Sequence, residues 1–238
     1  MSTANLDFSQ RADLVEKMDQ PCSYEDLRVC LLDISRVNRL AFAYRPTLSW
    51  LEELATPHAS QPLHIVDVGC GYGDTLRTIH TWAARRKIPV ALTGIDLNPD
   101  AIRAAKDATP PTQRIEWIVG DAISDAVTGE IDIVISSLLT HHLTNSQIIQ
   151  FLRWMEQRTR RGWFINDLHR QPMPYRLFRL VARFTNWHPF VKFDGPVSIR
   201  RSFRTADWEQ LCAAAELAPG AVTIRKHRPA RLCVGRIK

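Results

Sequence analysis

Apolar positions along this chain follow two rhythms that divide it into three stretches. Before residue 60 the rhythm is helical: residues 6–20 read as a first helix, and Ser23 stands as the N-cap of a second that begins at Tyr24. Within the second, Leu27, Leu31, Ile34 and Val37 recur on one face, while Arg28, Asp33 and Arg36 lie off it. Beyond Pro46 a short helical run through Leu48, Trp50, Leu51 and Leu54 ends before the loop 57–62.

From His64 the texture changes. Short β-prone runs at 64–68, 90–95, 114–119, 131–136 and 162–166 each end in a polar or glycine turn, and most are followed by a helical stretch, at about 73–86, 99–108 and 145–159. Near Ser124 only an irregular piece fits. Such alternation predicts an α/β fold, a parallel sheet covered by helices on both faces. Residues 172–199 break the repeat: Tyr175, Phe178, Phe184, Trp187, Phe190 and Phe193 crowd there, and they read as an inserted helix and loop over the strand ends, with a turn at Asp194-Gly195-Pro196. Thr205 then caps a last helix through Trp208, Leu211 and Leu217, stopped by Pro219-Gly220, and the runs 221–226 and 231–237 predict an antiparallel hairpin. The organisation expected is a helical cap over 1–60 and a core over 61–238 with a lid insertion at about 172–200.

Composition changes this picture little. At 45% hydrophobic and 24% charged residues the chain reads as an ordinary globular one. The first twenty residues contain Asp7, Asp13, Glu16 and Asp19 and no unbroken apolar run, so a secretory signal is not expected, and no stretch has the length of a membrane span; a cytoplasmic protein is predicted. Five scattered cysteines without CxxC spacing read as reduced thiols. The net charge of +6 is concentrated in 153–204, where Arg153, Arg158, Arg160, Arg161, Arg170, Arg176, Arg179, Arg183, Arg200 and Arg201 occur. A solvated face, an acidic substrate, an anionic membrane and RNA all fit that charge pattern.

The candidate chemistry sits where strands end. Asp67-Val68-Gly69-Cys70-Gly71-Tyr72-Gly73 is a strand running into a glycine turn that opens a helix, a geometry that lets a cofactor approach the main chain. Asp96, followed by Leu97 at the next strand end, suits the acceptance of hydrogen bonds from ribose hydroxyls; Asp121 and the Ala122 amide at the third suit an adenine edge. After the fourth strand comes Ser136-Ser137-Leu138-Leu139-Thr140-His141-His142, with His142 and His141 candidates for a general base. The fifth ends in Asn166-Asp167-Leu168-His169-Arg170, where Asp167 and His169 offer an acid-base or orienting pair and Arg170 a site for an anion. No cysteine or second carboxylate stands close to these histidines in sequence, so no metal is expected.

The trio of glycine turn, Asp96 and Asp121, spread over about 60–170, resembles the class I S-adenosylmethionine (SAM) dependent methyltransferases, and among them the small quinone- and phenol-pathway enzymes. That family's first motif, acidic-x-Gly-x-Gly-x-Gly, is matched by Asp67, Gly69, Gly71 and Gly73. The resemblance implies a Rossmann-like seven-stranded, mostly parallel sheet with an antiparallel last strand and helical cap elements. It implies SAM as cofactor, Ser137 beside its methionine part, and N-terminal helices closing over it, where Arg39 could hold its carboxylate. It also implies a small hydrophobic, phenolic or quinone-type acceptor, O-methylated; the aromatic insertion with Phe178 and Trp187 suits a dry pocket for it, and Arg170 and Arg200 suit contacts to an acidic group on it. Peripheral membrane contact and either a monomer or a homodimer are compatible with it. An RNA methyltransferase is the alternative suggested by the arginines, but Ser136-Ser137-Leu138-Leu139 stands where base-amine methyltransferases carry Asn-Pro-Pro-aromatic. A SAM-binding partner protein without activity is the third reading.

Overall fold

The computed structural model describes residues 6–124 and 127–238. The sequence order is α1 (Tyr24–Leu40), α2 (Arg45–Glu52), β1 (Leu63–Val68), α3 (Asp74–Arg86), β2 (Val90–Asp96), α4 (Pro99–Asp107), β3 (Glu116–Val119), β4 (Ile131–Ser137), α5 (Asn145–Arg158), β5 (Thr159–Leu168), α6 (Pro172–Arg183), α7 (Pro189–Arg201), α8 (Thr205–Ala214), β6 (Thr223–His227) and β7 (Arg231–Ile237). They build one seven-stranded sheet in the order β3-β2-β1-β4-β5-β7-β6. β1 to β5 are parallel, and β7 lies antiparallel between β5 and β6. This is the Rossmann-like sheet expected, and it follows from local chemistry. Central strands are buried on both faces, Ile131–Ser137 above all, and two of the turns after strands carry side-chain caps, Asn98 on the amides of Asp100 and Ala101 and Thr144 on that of Gln147.

Two cores flank the sheet. One, under α5 and α8, holds Phe151, Trp163, Phe203 and Trp208; the other, under α2 and α3, holds Trp50, Leu51, Leu76, Ile79 and Phe164. α2 is therefore a covering helix of the sheet rather than part of a separate cap.

The expectation of a helix over 6–20 is corrected. That segment is extended, apart from one 3-10 turn at Lys17–Asp19. Its backbone groups find partners outside it: Ala12 donates to the Arg200 carbonyl at 3.0 Å, and Lys17 and Met18 donate to the Asp194 carboxylate at 2.7 and 3.1 Å. A strap satisfied by the lid has no need of helical hydrogen bonds. The lid is likewise two helices, not a helix and loop, and the expected turn at Asp194-Gly195-Pro196 lies inside α7. Gly195 serves packing there, since a Cβ on it would stand 2.2 Å from the Phe178 ring of α6.

Candidate functional site

The carboxyl edge of the sheet carries the site. Gly69, Gly71 and Gly73 all have positive φ between β1 and α3. Gly73 is required by packing as well as by its backbone, because a Cβ would lie 2.1 Å from the Trp117 ring of β3. The amide of Gly71 donates to Asp96 Oδ2 and that of Asn98 to Oδ1, both at 2.9 Å, which fixes the carboxylate at the end of β2 while burial pushes its pKa up. Asp67 is fully enclosed; burial, with Asp74 and Asp96 close by, drives its carboxyl well above the usual range, and Oδ1 has no partner among the described residues.

A cavity of about 560 Å³ extends from this turn, past α1, to the lid. Asp67, Gly69, Cys70, Gly71, Asp96 and Ser137 line it, as do His141, His142, Phe178 and Trp187. Gly73, Leu97, Asp121 and Ala122 are not among its walls. Gly73 is turned under Trp117, Leu97 points to solvent, the Asp121 carboxylate caps its own turn at the Ile123 amide, and Ala122 packs into the core under α5. Arg39 is a further correction: it is exposed on the outer side of α1, whereas its neighbour Asn38 faces the cavity. The cation that does line the cavity is Arg231, 5% exposed, whose Nη2 donates to Asn38 Oδ1 at 2.8 Å and whose Nη1 is without a partner among the described residues. Arg231 escaped sequence reasoning because it reads as one polar position of a β-prone run. Its pairing with Leu168 puts it at the carboxyl end of β5, and only the antiparallel register could have revealed that.

Between turn and lid lies a polar pole. Leu138, at positive φ, turns the chain after β4 into a 3-10 turn, Thr140–His142. His141 Nδ1 meets Asp167 Oδ1 at 2.7 Å, and Asp167 also accepts the hydroxyl of Thr140 and the amides of His141 and Leu168. Burial would raise that carboxyl, but His141 and these donors hold it below the ordinary range. His142 Nδ1 meets Asp19 Oδ1 at 3.0 Å. Both Nε2 atoms then face one carboxylate, Glu16, at 3.7 and 3.9 Å, too long for direct hydrogen bonds. Burial pushes Glu16 up to about 7. Glu16 and Asp19 come from the extended strap and were hidden in the sequence, where they read as the polar side of a helix.

The ligand atoms of Glu16, His141 and His142 lie within 4.8 Å of one another. Glu16 Oε2 already accepts from Ser198 at 2.8 Å and Oε1 from Arg201 at 3.3 Å, and a guanidinium so close favours a proton-handling cluster over a cation centre.

The remaining candidates lie apart from the cavity. His169 faces a separate concavity beside α6, and burial, with Lys226, Arg204 and Arg170 around it, lowers its imidazole to about 4, so it is uncharged near neutrality. Arg170 is wholly enclosed and donates to the carbonyls of Phe8, Ser9 and Ser202 while pairing with Asp207. It is a structural tie, not an anion site. Arg200 lines no part of the cavity either; its neighbour Arg201 reaches the pole instead.

Residues 65–162 match the family model described as methyltransferase domain. Among solved structures, the plantazolicin methyltransferase with bound S-adenosylhomocysteine (SAH) is 16% identical, with 90% of this chain and 95% of that one aligned at a TM-score of 0.61. Human N-acetylserotonin methyltransferase in complex with SAM is 14% identical over 91% of this chain and 56% of its own, with a TM-score of 0.64. Magnesium protoporphyrin IX methyltransferase from Synechocystis, with bound SAH, is 11% identical over 84% of each chain, with a TM-score of 0.56. Residues 65–162 thus match a methyltransferase-domain model, and the chain shares the fold of these SAM- and SAH-bound methyltransferases.

Proposed function

We propose that the protein transfers a methyl group from SAM to an ionisable oxygen on a small hydrophobic, phenol- or quinone-type acceptor. One observation carries the reading. A single cavity has two buried polar atoms of opposite character without partners among the described residues, Asp67 Oδ1 and Arg231 Nη1, together with a histidine pole and an aromatic lid. An amino-acid zwitterion supplies the ammonium for the first and the carboxylate for the second, and the methionine end of SAM is one. Asp96, held by two backbone amides, is left to accept from the ribose hydroxyls. When bound, SAM supplies an electrophilic methyl on a sulfonium.

The chain's own residues do the rest. Phe178 and Trp187, stacked with ring centroids 5.7 Å apart, wall the acceptor half of the cavity and keep it dry. Asp167 orients His141 so that Nε2 turns toward Glu16, and Asp19 does the same for His142. The gap between both Nε2 atoms and Glu16 fits one hydroxyl, whose proton passes to an imidazole as the oxygen is alkylated. Part of the basic segment behind the RNA alternative is engaged within the fold, since Arg153, Arg160, Arg170 and Arg201 pair with Glu216, Asp132, Asp207 and Asp19.

The test is calorimetric. SAH should bind the wild-type protein, and Asp96→Ala should weaken it by at least about 1.5 kcal/mol, roughly tenfold. Arg231→Met should weaken SAH but leave 5′-methylthioadenosine, which lacks the amino-acid end, unchanged. Wild-type protein that binds neither ligand would sink the proposal.

A further inference from the structure

The lid helix α6 is amphipathic in a way that the protein itself does not use. It buries fully only Pro174 and Ala182, with Phe178 turned to the cavity. Met173, Leu177, Leu180 and Phe184, spaced by four, three and four residues, form a second apolar stripe that faces solvent, Phe184 at 79% exposure and Leu180 at 58%. Arg176, Arg179 and Arg183 form a third stripe, roughly 90° around the helix from the apolar one. α6 has no acidic residue, and none of the three arginines has a carboxylate partner among the described residues.

A second observation extends this surface. Beside α6 lies an open concavity of about 800 Å³, floored by Met173, Leu177 and Leu180 and edged by Arg176, Arg204 and Lys226. An apolar floor with a cationic edge fits an amphiphile with an anionic head. Leu177 belongs to both this groove and the inner cavity, and Leu40, 71% exposed at the end of α1, also lines the inner cavity. The acceptor pocket and the exposed apolar stripe are thus continuous.

We propose that α6 and the adjoining groove dock on an anionic lipid surface, so that an acceptor dissolved in the bilayer enters the pocket beside α6. The apolar stripe would sink to the acyl boundary and the arginine stripe would lie among the phosphates. The charge pattern favours lipid over a second copy of the chain, because a twofold contact through α6 would set its arginines against their own copies. The route of the acceptor rests on the methyl-transfer reading, whereas docking does not.

Sedimentation with vesicles tests docking without any assay of turnover. The full chain should sediment at low ionic strength with vesicles of phosphatidylcholine and phosphatidylglycerol, and lose binding in high salt or with phosphatidylcholine alone. Leu180→Ser with Phe184→Ser should cut partitioning at least about tenfold, and Arg176→Gln with Arg179→Gln and Arg183→Gln should remove the salt dependence, with circular dichroism unchanged. Failure to sediment with the anionic vesicles, binding indifferent to both variant sets, or a dimer in light scattering that the Leu180 and Phe184 changes dissociate would each overturn it. Vesicle binding by a protein that binds no SAH would leave docking standing and remove only the methyl-transfer reading.

Discussion

Asp167 makes four contacts from a fully buried position, and all of them serve to present His141. A carboxylate so placed keeps the proton of the imidazole on Nδ1, and that leaves Nε2 free to receive one. Asp167→Asn should therefore lower kcat by about 10²-fold or more while SAH affinity, measured by calorimetry, stays within a few-fold. An equal loss in both would mean that Asp167 only holds up the pocket. The two histidines and Asp167 are legible in the sequence because each stands at a strand end, where open α/β sheets gather their ligands. Glu16 and Arg231 are not, since their place depends on which distant segment crosses the sheet edge, and neither periodicity nor spacing encodes that.

Among the elements, the turn between β1 and α3 was read as a cofactor loop, and the structure divides its glycines. A Cβ on Gly71 would meet only the Leu31 side chain, at 3.7 Å, and its amide donates to Asp96, while Gly73 is locked by the Trp117 ring of β3. Gly73→Ala should cost about 1–3 kcal/mol in urea unfolding, from overpacking and from its left-handed backbone. Adding Trp117→Ala should recover part of that, less than the sum of the single changes; strict additivity would argue that the two do not touch. Strands and helices of the core were predictable because each carries its own period, although the N-cap of α8 is Arg204 and not the expected Thr205. The strap was not: its six apolar residues, Leu6, Phe8, Ala12, Leu14, Val15 and Met18, suggest a helix only when its partners are unseen. α7 was missed for the opposite reason, since Asp194-Gly195-Pro196 has turn chemistry but is held helical by Phe178 and by the strap amides on Asp194.

Across the whole molecule, Arg170 joins what the sequence keeps farthest apart. Its guanidinium takes carbonyls from the strap at Phe8 and Ser9 and from the end of α7 at Ser202, and pairs with Asp207 of α8. Arg170→Met leaves those carbonyls and the carboxylate without their donor and should cost about 3–5 kcal/mol. Limited proteolysis should then cleave first within 6–20, and a protein that unfolds as one unit with no early strap cleavage would refute this role. The sheet order could be anticipated from the repeat of strand and helix, but this cross-tie could not, because nothing marks a buried arginine among eleven on the same stretch.

The two halves of the lid differ in how they are fastened. α7 is latched by Asp194 to the strap and by Ser198 and Arg201 to Glu16, so displacing it would break the histidine pole as well. Among the described residues α6 has no comparable latch, and it rests on the side chains of Pro174, Phe178 and Ala182. Were the pocket to open as a double door, α6 would be the leaf that swings, and the frame that orients the histidines would keep its place.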